Sequence, residues 1–440
     1  MRCLQRCPDC ALYRISGALG IEVFGRVKPK AASNGMLPKH ASLGLKFFAS
    51  SARPPHGSQG AELPHRMLHF CYAFHGNSER GIVSTTTGLG SSANSMDVPK
   101  QLMREPPLPG IAISLDFELR WGVHDRYGLD FHAYRENIEN VPVVIPEILQ
   151  LLVARDIKAT WAAVGALACK NWDEYFRRAP EPPRYTNPAF AVKPQYADLD
   201  PNGVLHFAPD LLYTILETPG QELGTHTFSH LYLREQGVTA ADVAADLAAV
   251  TELYQERFGF VPRSLVFPRN EHAFLEVIRA SPIKIWRGNE AAWYYECQGD
   301  ASNWILPRAL RLVDSLIPLR TRAASIEDDM TRASLFLRFN LPRYLWLAQF
   351  ERIKRELDRL QPNEVFHIWF HPHNLGADTA LRLSRLEQIL DVIAEAQYRR
   401  RLLSCSMGDL ATCVAVSRAT ATLAKPGRSP GELYPSAVPA

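Results

Sequence analysis

Short apolar segments alternate with longer segments of helical periodicity from about residue 109 to residue 405. Residues 111–115 are apolar except for Ser114, which is typical of a strand buried on both faces. Residues 239–258 place apolar side chains at helical spacing, with Thr239 suited to cap the helix and Gly259 to end it. We predict further strands at residues 157–164, 264–267, 283–286, 365–370 and 400–405, and further helices at residues 134–155, 209–217, 344–360 and 378–396.

This alternation predicts the α/β class with a mainly parallel sheet. The pattern by itself is compatible with a closed barrel and with an open, doubly wound sheet. In both architectures ligands bind at the carboxyl ends of the strands. A stretch rich in Pro, Tyr and Asn at residues 171–205 interrupts the pattern, and we predict a long functional or mobile loop there.

The two ends of the chain lack the alternation. Residues 1–105 mix Gly, Ser, Pro and His with short apolar patches and keep no period, so we predict a disordered segment or an over-extended start. Met96 opens a stretch that resembles a natural start. Residues 416–440 are rich in Ala, Ser and Pro, which predicts a flexible tail. The predicted catalytic domain therefore covers residues 106–415.

Composition narrows the class of protein. Hydrophobic residues make up 46% of the chain and charged residues 22%, as in globular proteins with a large core. The balance of 49 basic and 46 acidic side chains gives no indication of nucleic acid or an anionic membrane as a partner, and we expect no nucleic acid. Eight dispersed cysteines do not form a secreted disulfide pattern. We find no apolar run long enough for a transmembrane helix and no secretory h-region, so we expect a cytoplasmic protein.

Polar side chains cluster where the predicted strands end. Because parallel strands end at the same edge of a sheet, we expect these clusters to converge. Five clusters at five strand ends form a stronger signal than any one of them. They are Asp116 with Glu118, His226 with His230, Arg269 with Asn270, Arg287 with Asn289, and His371 with His373.

The two histidines His226 and His230 stand four residues apart, so in a helical turn they share one face. Together with one carboxylate they would form a two-histidine, one-carboxylate site for zinc or another divalent metal. Asp116 and Glu118 both follow an apolar strand, so one can bind the metal while the other acts as a base on water. The simpler alternative for each element is a buried structural histidine or a solvated strand end.

His371 ends another buried strand and can serve as a general acid. His367 lies deeper in that strand, and we interpret it as a hydrogen-bonded core histidine. His373 can flank the pocket beside His371 or merely bond the backbone. Arg269 can hold the base carboxylate in a bidentate ion pair, or form a surface salt bridge.

The order Asp-x-Glu, His-x-x-x-His, Pro-Arg and a late strand ending in His resembles the polysaccharide deacetylase family, carbohydrate esterase family four. Residues 224–230, Gly-Thr-His-Thr-Phe-Ser-His, are the most specific part, and the resemblance covers about residues 108–415. It implies a distorted (β/α)7 barrel. This expectation selects the barrel from the two architectures that the pattern leaves open.

The resemblance also implies roles for single residues. Asp116 would be the catalytic base, Arg269 would orient it, and His371 would be the general acid. The metal, usually zinc, would polarise an amide carbonyl and activate water. A backbone N–H near Asn270 would help to hold the oxyanion. The metal ligands would be Glu118, His226 and His230.

The chain departs from the family pattern at three points. The first motif usually has two adjacent aspartates, but here one residue separates Asp116 from Glu118. The family's Arg-x-Pro-Tyr is replaced by Arg269-Asn270-Glu271. The aspartate that supports the acid histidine has no clear counterpart, the region of Arg287 and Asn289 being its expected place. The candidate substrate contacts are Trp121, Asn270, Trp286 and His373, with Trp293 as a further sugar-stacking ring.

We therefore expect a metal-dependent hydrolase that removes an N-acetyl or other N-acyl group from a sugar in a polysaccharide or glycolipid precursor. One alternative is a hydrolase of a non-sugar C–N bond on the same scaffold. Another is a carbohydrate-binding homologue without turnover. A two-carboxylate glycosidase explains the acids but leaves the histidines without a role.

Overall fold

A computed structural model describes residues 11–16, 22–27, 109–127, 132–296, 305–317, 323, 326 and 329–423. The chain divides into two compact units, Met1–Ser92 and Ala93–Ala440. In the first unit, strands β1 (Ala11–Ser16) and β2 (Glu22–Val27) pair antiparallel. The other residues predicted to be disordered or an over-extended start, 1–10, 17–21 and 28–105, lie outside the described part.

The second unit is built on a parallel sheet. Its strands run in the order β8-β7-β6-β5-β4-β3-β10-β9, and β11 pairs with the first half of β3 beside β4. The strands are β3 (Gly110–Phe117), β4 (Ala159–Ala163), β5 (Gln221–Thr225), β6 (Ser264–Val266), β7 (Ile285–Gly288), β8 (Met330–Arg332), β9 (Leu335–Phe336), β10 (Val365–Phe370) and β11 (Leu403–Cys405).

Helices connect these strands. Within the described residues, no helix is both long and apolar enough to cross a membrane. They are α1 (His124–Tyr127), α2 (Arg135–Glu139), α3 (Val141–Val153), α4 (Trp172–Arg178), α5 (Gln195–Leu199), α6 (Pro209–Glu217), α7 (Ala240–Phe258), α8 (Leu275–Ala280), α9 (Trp293–Glu296), α10 (Ile305–Leu316), α11 (Arg343–Arg359), α12 (Thr379–Arg400) and α13 (Met407–Leu423).

The sheet closes through β8 and β9. Only Ala333 and Ser334 separate these strands, and β8 pairs with β7 while β9 pairs with β10. The two linking residues hydrogen-bond to both neighbouring strands. The amide of Ala333 donates to the carbonyl of Gly288 in β7, and the amide of Ser334 donates to the carbonyl of His367 in β10, each at 2.8 Å. Counting β8 and β9 as one position, and leaving aside β11, which pairs only with β3, seven positions surround the interior. The predicted (β/α)7 barrel is confirmed.

Alternation along the strands decides which side chains face inward. In β3 the apolar Ile113, Leu115 and Phe117 join the core beneath the helices. Ser114 and Asp116 therefore point the other way, into the barrel, where they meet side chains of β7 and β10. Polar chemistry is thus placed inside the barrel by the same alternation that builds the apolar core.

The predicted helix at residues 239–258 is confirmed as α7. Thr239 caps it through a reciprocal capping box with Asp242, and Gly259 ends it with φ +77°, a left-handed conformation that suits glycine. Its buried face includes Val243, Leu247 and Val250.

Two predictions about irregular segments need correction. The stretch predicted as a loop at residues 171–205 contains α4 and α5, because Trp172 and Tyr196 bury their rings in the core. The predicted flexible tail begins inside α13, which continues to Leu423. Residues 424–440 lie outside the described part.

Candidate metal-hydrolase site

The loop after β5 carries His226 and His230. It is not helical as expected: Thr227 and His230 adopt left-handed backbone angles, with φ 63° and 57°. The two imidazole rings nevertheless lie together, with centroids 5.1 Å apart. The loop, rather than a shared helix face, aims both rings at the end of β3.

Glu118 lies where these rings converge. Its Oε1 is 3.0 Å from Nε2 of His226 and 3.4 Å from Nε2 of His230, and all three residues are buried. Ligands about 2.1 Å from a tetrahedral metal lie roughly 3.4 Å apart, so this spacing fits a divalent ion. Nδ1 of His226 donates to the carbonyl of Val266 at 2.8 Å, which leaves the lone pair of Nε2 for a metal. The donor set therefore fits a divalent metal ion.

His371 completes the polar pocket. Its Nε2 lies 3.5 Å from Oε1 of Glu118 and 3.8 Å from Oδ2 of Asp116. The His371 side chain is 19% exposed, whereas both carboxylates are at most 5% exposed. Solvent and a ligand therefore reach the site on the side of His371.

His373 also lies at this pocket. Its ring stacks on His371 with centroids 4.9 Å apart, and burial lowers the pKa of His373 to about 3. With Glu118 and His371 it forms a second group of potential ligand atoms within 4.8 Å of one another. The structure thus favours the pocket-flanking interpretation of His373.

Asp116 is held by Arg287. The Arg287 guanidinium donates to both carboxylate oxygens, at 2.6 and 2.7 Å, and neither side chain is more than 3% exposed. It also donates to Oγ of Ser114 at 3.0 Å and to Oδ1 of Asn270 at 2.8 Å. Asn270 therefore reaches the site by fixing Arg287.

The prediction that Arg269 orients Asp116 is contradicted by these contacts. Arg269 pairs with Glu235 at 2.8 Å and with Glu271 at 3.4 Å. Its guanidinium lies 5.3 Å from the ring centre of Tyr232. The left-handed backbone of Arg269, φ 55°, accompanies a side chain that packs on this ring and reaches one acid of its own loop and one of the loop after β5.

Opposed electrostatic effects set the ionisation of the site. Burial raises the pKa of Asp116, but Arg287 outweighs it and the pKa is lowered. Burial also raises the pKa of Glu118, but His371 and the two other rings hold it well below its usual range. Burial lowers the pKa of His371, yet Glu118 and Asp116 outweigh this effect and the pKa is raised. The pocket thus favours ionised acids beside a protonated His371.

Two predicted sugar-stacking rings lie in the core instead. Trp121 is 1% exposed, packs on Trp172 and Tyr175, and donates to the carbonyl of His206 at 2.7 Å. Trp286 is 3% exposed and joins an apolar cluster. Because Arg287 points into the barrel, its neighbour Trp286 must point outward. Neither ring can stack on a substrate.

His367 agrees with its interpretation as a core histidine. It is fully buried, and its ring nitrogens lie 2.9 Å from Oγ of Ser114 and 3.4 Å from Oγ1 of Thr331. The two hydroxyl groups therefore provide a hydrogen-bond partner for each ring nitrogen of a neutral imidazole.

Two supporting residues escaped the sequence reasoning. Arg287 is among the residues predicted to converge at the strand ends, but the sequence assigns the role of orienting Asp116 to Arg269 instead; an arginine that ends an apolar strand is the signal for this role. Asp246 lies on the apolar face of α7, and its carboxylate accepts bonds from the amides of Phe228 and Ser229 at 2.6 and 3.1 Å, and from Oγ of Ser229 at 2.6 Å. It anchors the loop that carries both histidines.

Comparison with known proteins agrees with the fold. A family model described as polysaccharide deacetylase matches residues 137–273, which confirms the resemblance to that family. No curated protein matches the chain.

Solved structures align with most of the chain at low identity. A candidate polysaccharide deacetylase from Mycobacterium smegmatis is 14% identical, with 72% of this chain and 93% of that chain covered and a TM-score of 0.44. Puue allantoinase is 12% identical, with 73% and 97% covered and a TM-score of 0.43. Peptidoglycan deacetylase PdaC from Bacillus subtilis is 11% identical, with 72% and 97% covered and a TM-score of 0.36. At these values the similarity does not bear on the reaction.

Proposed function

We propose that the protein is a metal-dependent hydrolase that removes an N-acyl group, in the first instance acetyl, from a sugar in a polysaccharide or glycolipid precursor. One observation carries the proposal: Oε1 of Glu118 lies within 3.5 Å of Nε2 of three histidines, beside the ion-paired Asp116. The family-model match supports the same class of reaction.

In this proposal Glu118, His226 and His230 hold a divalent cation, most suitably Zn²⁺. Such an ion supplies Lewis-acid activation of water and of the amide carbonyl when it is bound. The donor types support zinc because two imidazoles and one carboxylate leave a coordination position open for a substrate or water.

The protein's own groups move the protons. Asp116 accepts a proton from the attacking water as the water oxygen forms a bond to the carbonyl carbon. Arg287 keeps Asp116 ionised and fixes its direction. His371 donates a proton to the nitrogen as the C–N bond breaks, which yields a free amine and a carboxylate.

A second candidate is hydrolysis of a non-sugar C–N bond, such as that of a cyclic amide. The observation that favours it is the burial of Trp121 and Trp286, which removes two expected sugar platforms. Release of acetate from N-acetylated oligosaccharides, compared with ring opening of small cyclic amides, separates the two.

The catalytic assignment is tested by three variants. His226→Ala and His230→Ala should each lose bound metal, because each removes one ligand. Asp116→Asn should retain the metal and lose turnover, because the base is gone. Inductively coupled plasma emission spectrometry measures the bound metal, and acetate release measures turnover. Full activity in Asp116→Asn would refute the base assignment, and bound metal without any turnover in the parent would favour a non-catalytic homologue.

We also propose a cytoplasmic location. The buried cysteines Cys169 and Cys405 are free thiols, which agrees with a reducing compartment. Fractionation of the native cells followed by immunoblotting tests it.

A further inference from the structure

Exposed apolar side chains form a stripe along α10. Ile305 is 68% exposed, Val313 44% and Ile317 42%, and these positions follow one another at intervals of four or eight residues. They therefore lie on one face of the helix. Leu306 is 56% exposed beside them. The buried residues Pro307, Asp314 and Ser315 mark the inner face of α10, and Leu312 and Leu316 beside the stripe pack partly against the core. Among the described residues the outer stripe itself stays exposed.

The neighbouring helix α11 extends this surface. α10 contacts α11, and the Arg352 guanidinium donates to the carbonyl of Asp314. Tyr344 is 63% exposed and Leu347 is 48% exposed in the first turns of α11. Both helices return from a strand's carboxyl end toward the start of the next strand, so they run parallel and their first turns lie at the same end of the barrel.

That end is the one that holds the site. α11 begins shortly after Phe336, whose ring centre lies 5.9 Å from that of His371. On the other side, the carbonyl of Tyr294 in α9 accepts a bond from Arg311 of α10, at 2.7 Å. The start of α11 therefore lies near the rim of the proposed active site.

The charge on this surface has one sign. Arg308 and Arg343 are exposed on α10 and α11. In α10 and in the first two turns of α11 the only acid is Asp314, which is fully buried. Exposed aliphatic and aromatic side chains bordered by arginines are the composition of a helix that lies in a lipid interface, where arginines contact phosphate headgroups. A second copy of the chain would place these arginines against one another, which disfavours self-association.

We propose that the exposed face of α10 and the start of α11, called here the α10–α11 surface, binds the surface of a membrane that contains anionic phospholipids. The proposal concerns binding alone and does not need the hydrolase function to be correct. Where both hold, the site would face sugars carried on lipids.

Cosedimentation of the full chain with vesicles tests the proposal. Vesicles made of equal parts phosphatidylglycerol and phosphatidylcholine should carry the protein into the pellet. Vesicles of phosphatidylcholine alone should carry down much less of it. Arg308→Gln with Arg343→Gln should weaken binding to the anionic vesicles about 25-fold, because each arginine near an anionic surface is worth roughly fivefold. These two exposed substitutions leave the core intact.

A matched pair of variants controls for added charge. Leu306→Glu with Leu347→Glu should abolish sedimentation, whereas Val153→Glu with Tyr398→Glu should not. Val153 and Tyr398 are also exposed but lie near the carboxyl ends of α3 and α12, at the opposite end of the barrel. No sedimentation of the parent protein, or equal loss in both pairs, would overturn the proposal. So would a dimer in light scattering that only the Leu306→Glu pair dissociates, since it would assign the surface to a second copy.

Discussion

The buried ion pair between Asp116 and Arg287 offers the sharpest test of the site. Replacing Arg287 with methionine keeps most of the side-chain volume but removes the charge. It leaves the Asp116 carboxylate buried without its two donors at 2.6 and 2.7 Å. It also removes the donors to Ser114 and Asn270.

The expected loss of stability is large. Breaking a buried pair by removing one partner costs about 3–5 kcal/mol, because the other charge stays behind without compensation. Arg269→Met is the matched control, since Arg269 also pairs with acids but is 23% exposed. Partly exposed pairs contribute about 0–1 kcal/mol. Turnover should fall on the order of 10²-fold only in Arg287→Met, because the base loses its fixed direction.

A double-mutant cycle isolates the pair. Combining Asp116→Asn with Arg287→Met removes both charges, so the loss should be smaller than the sum of the single losses by about 2–3 kcal/mol. Urea unfolding followed by circular dichroism measures the stabilities, and acetate release measures turnover. Additive losses, or equal losses in Arg287→Met and Arg269→Met, would refute the assignment of Arg287.

Two other predictions concern residues outside the reacting groups. Asp246→Asn should lower the free energy of unfolding by about 1–3 kcal/mol, because one carboxylate oxygen that accepts hydrogen bonds from the histidine loop is replaced by an NH2 group, which cannot accept them. The loosened loop should also retain less metal on dialysis. Asp242→Asn, in the capping box of the same helix, should leave metal retention unchanged, and equal metal loss in both would contradict the role of Asp246. Burial lowers the pKa of His367 to about 3, whereas a histidine in the unfolded chain has a pKa of about 6.5. Between these two pH values the unfolded chain binds a proton that the folded protein does not, so the free energy of unfolding should decrease as the pH drops from about 6.5 toward 3. Urea unfolding at several pH values should show a shallower fall in His367→Gln, and an unchanged slope would count against a neutral buried ring.

Local patterns predicted much of the fold. The segments predicted as β3, β10, α6 and α7 lie where expected, because apolar runs, helical spacing and caps act within a few residues. The resemblance to a known family predicted that the sheet closes into a barrel, which the pattern of apolar residues alone did not decide. The closure itself depends on two residues, Ala333 and Ser334, that join β8 to β9.

The sequence by itself determined the α/β class and the residues that meet at the strand ends: Asp116, Glu118, His226, His230 and His371. Only the tertiary structure decided which arginine serves Asp116, because Arg287 and Asp116 are 171 positions apart and meet through the inward alternation of two strands. It likewise placed Trp121 and Trp286 in the core and brought the two histidines together through a left-handed loop instead of a helix. Residue types near a strand end can be read locally, but the direction and partner of a side chain depend on how distant strands pack.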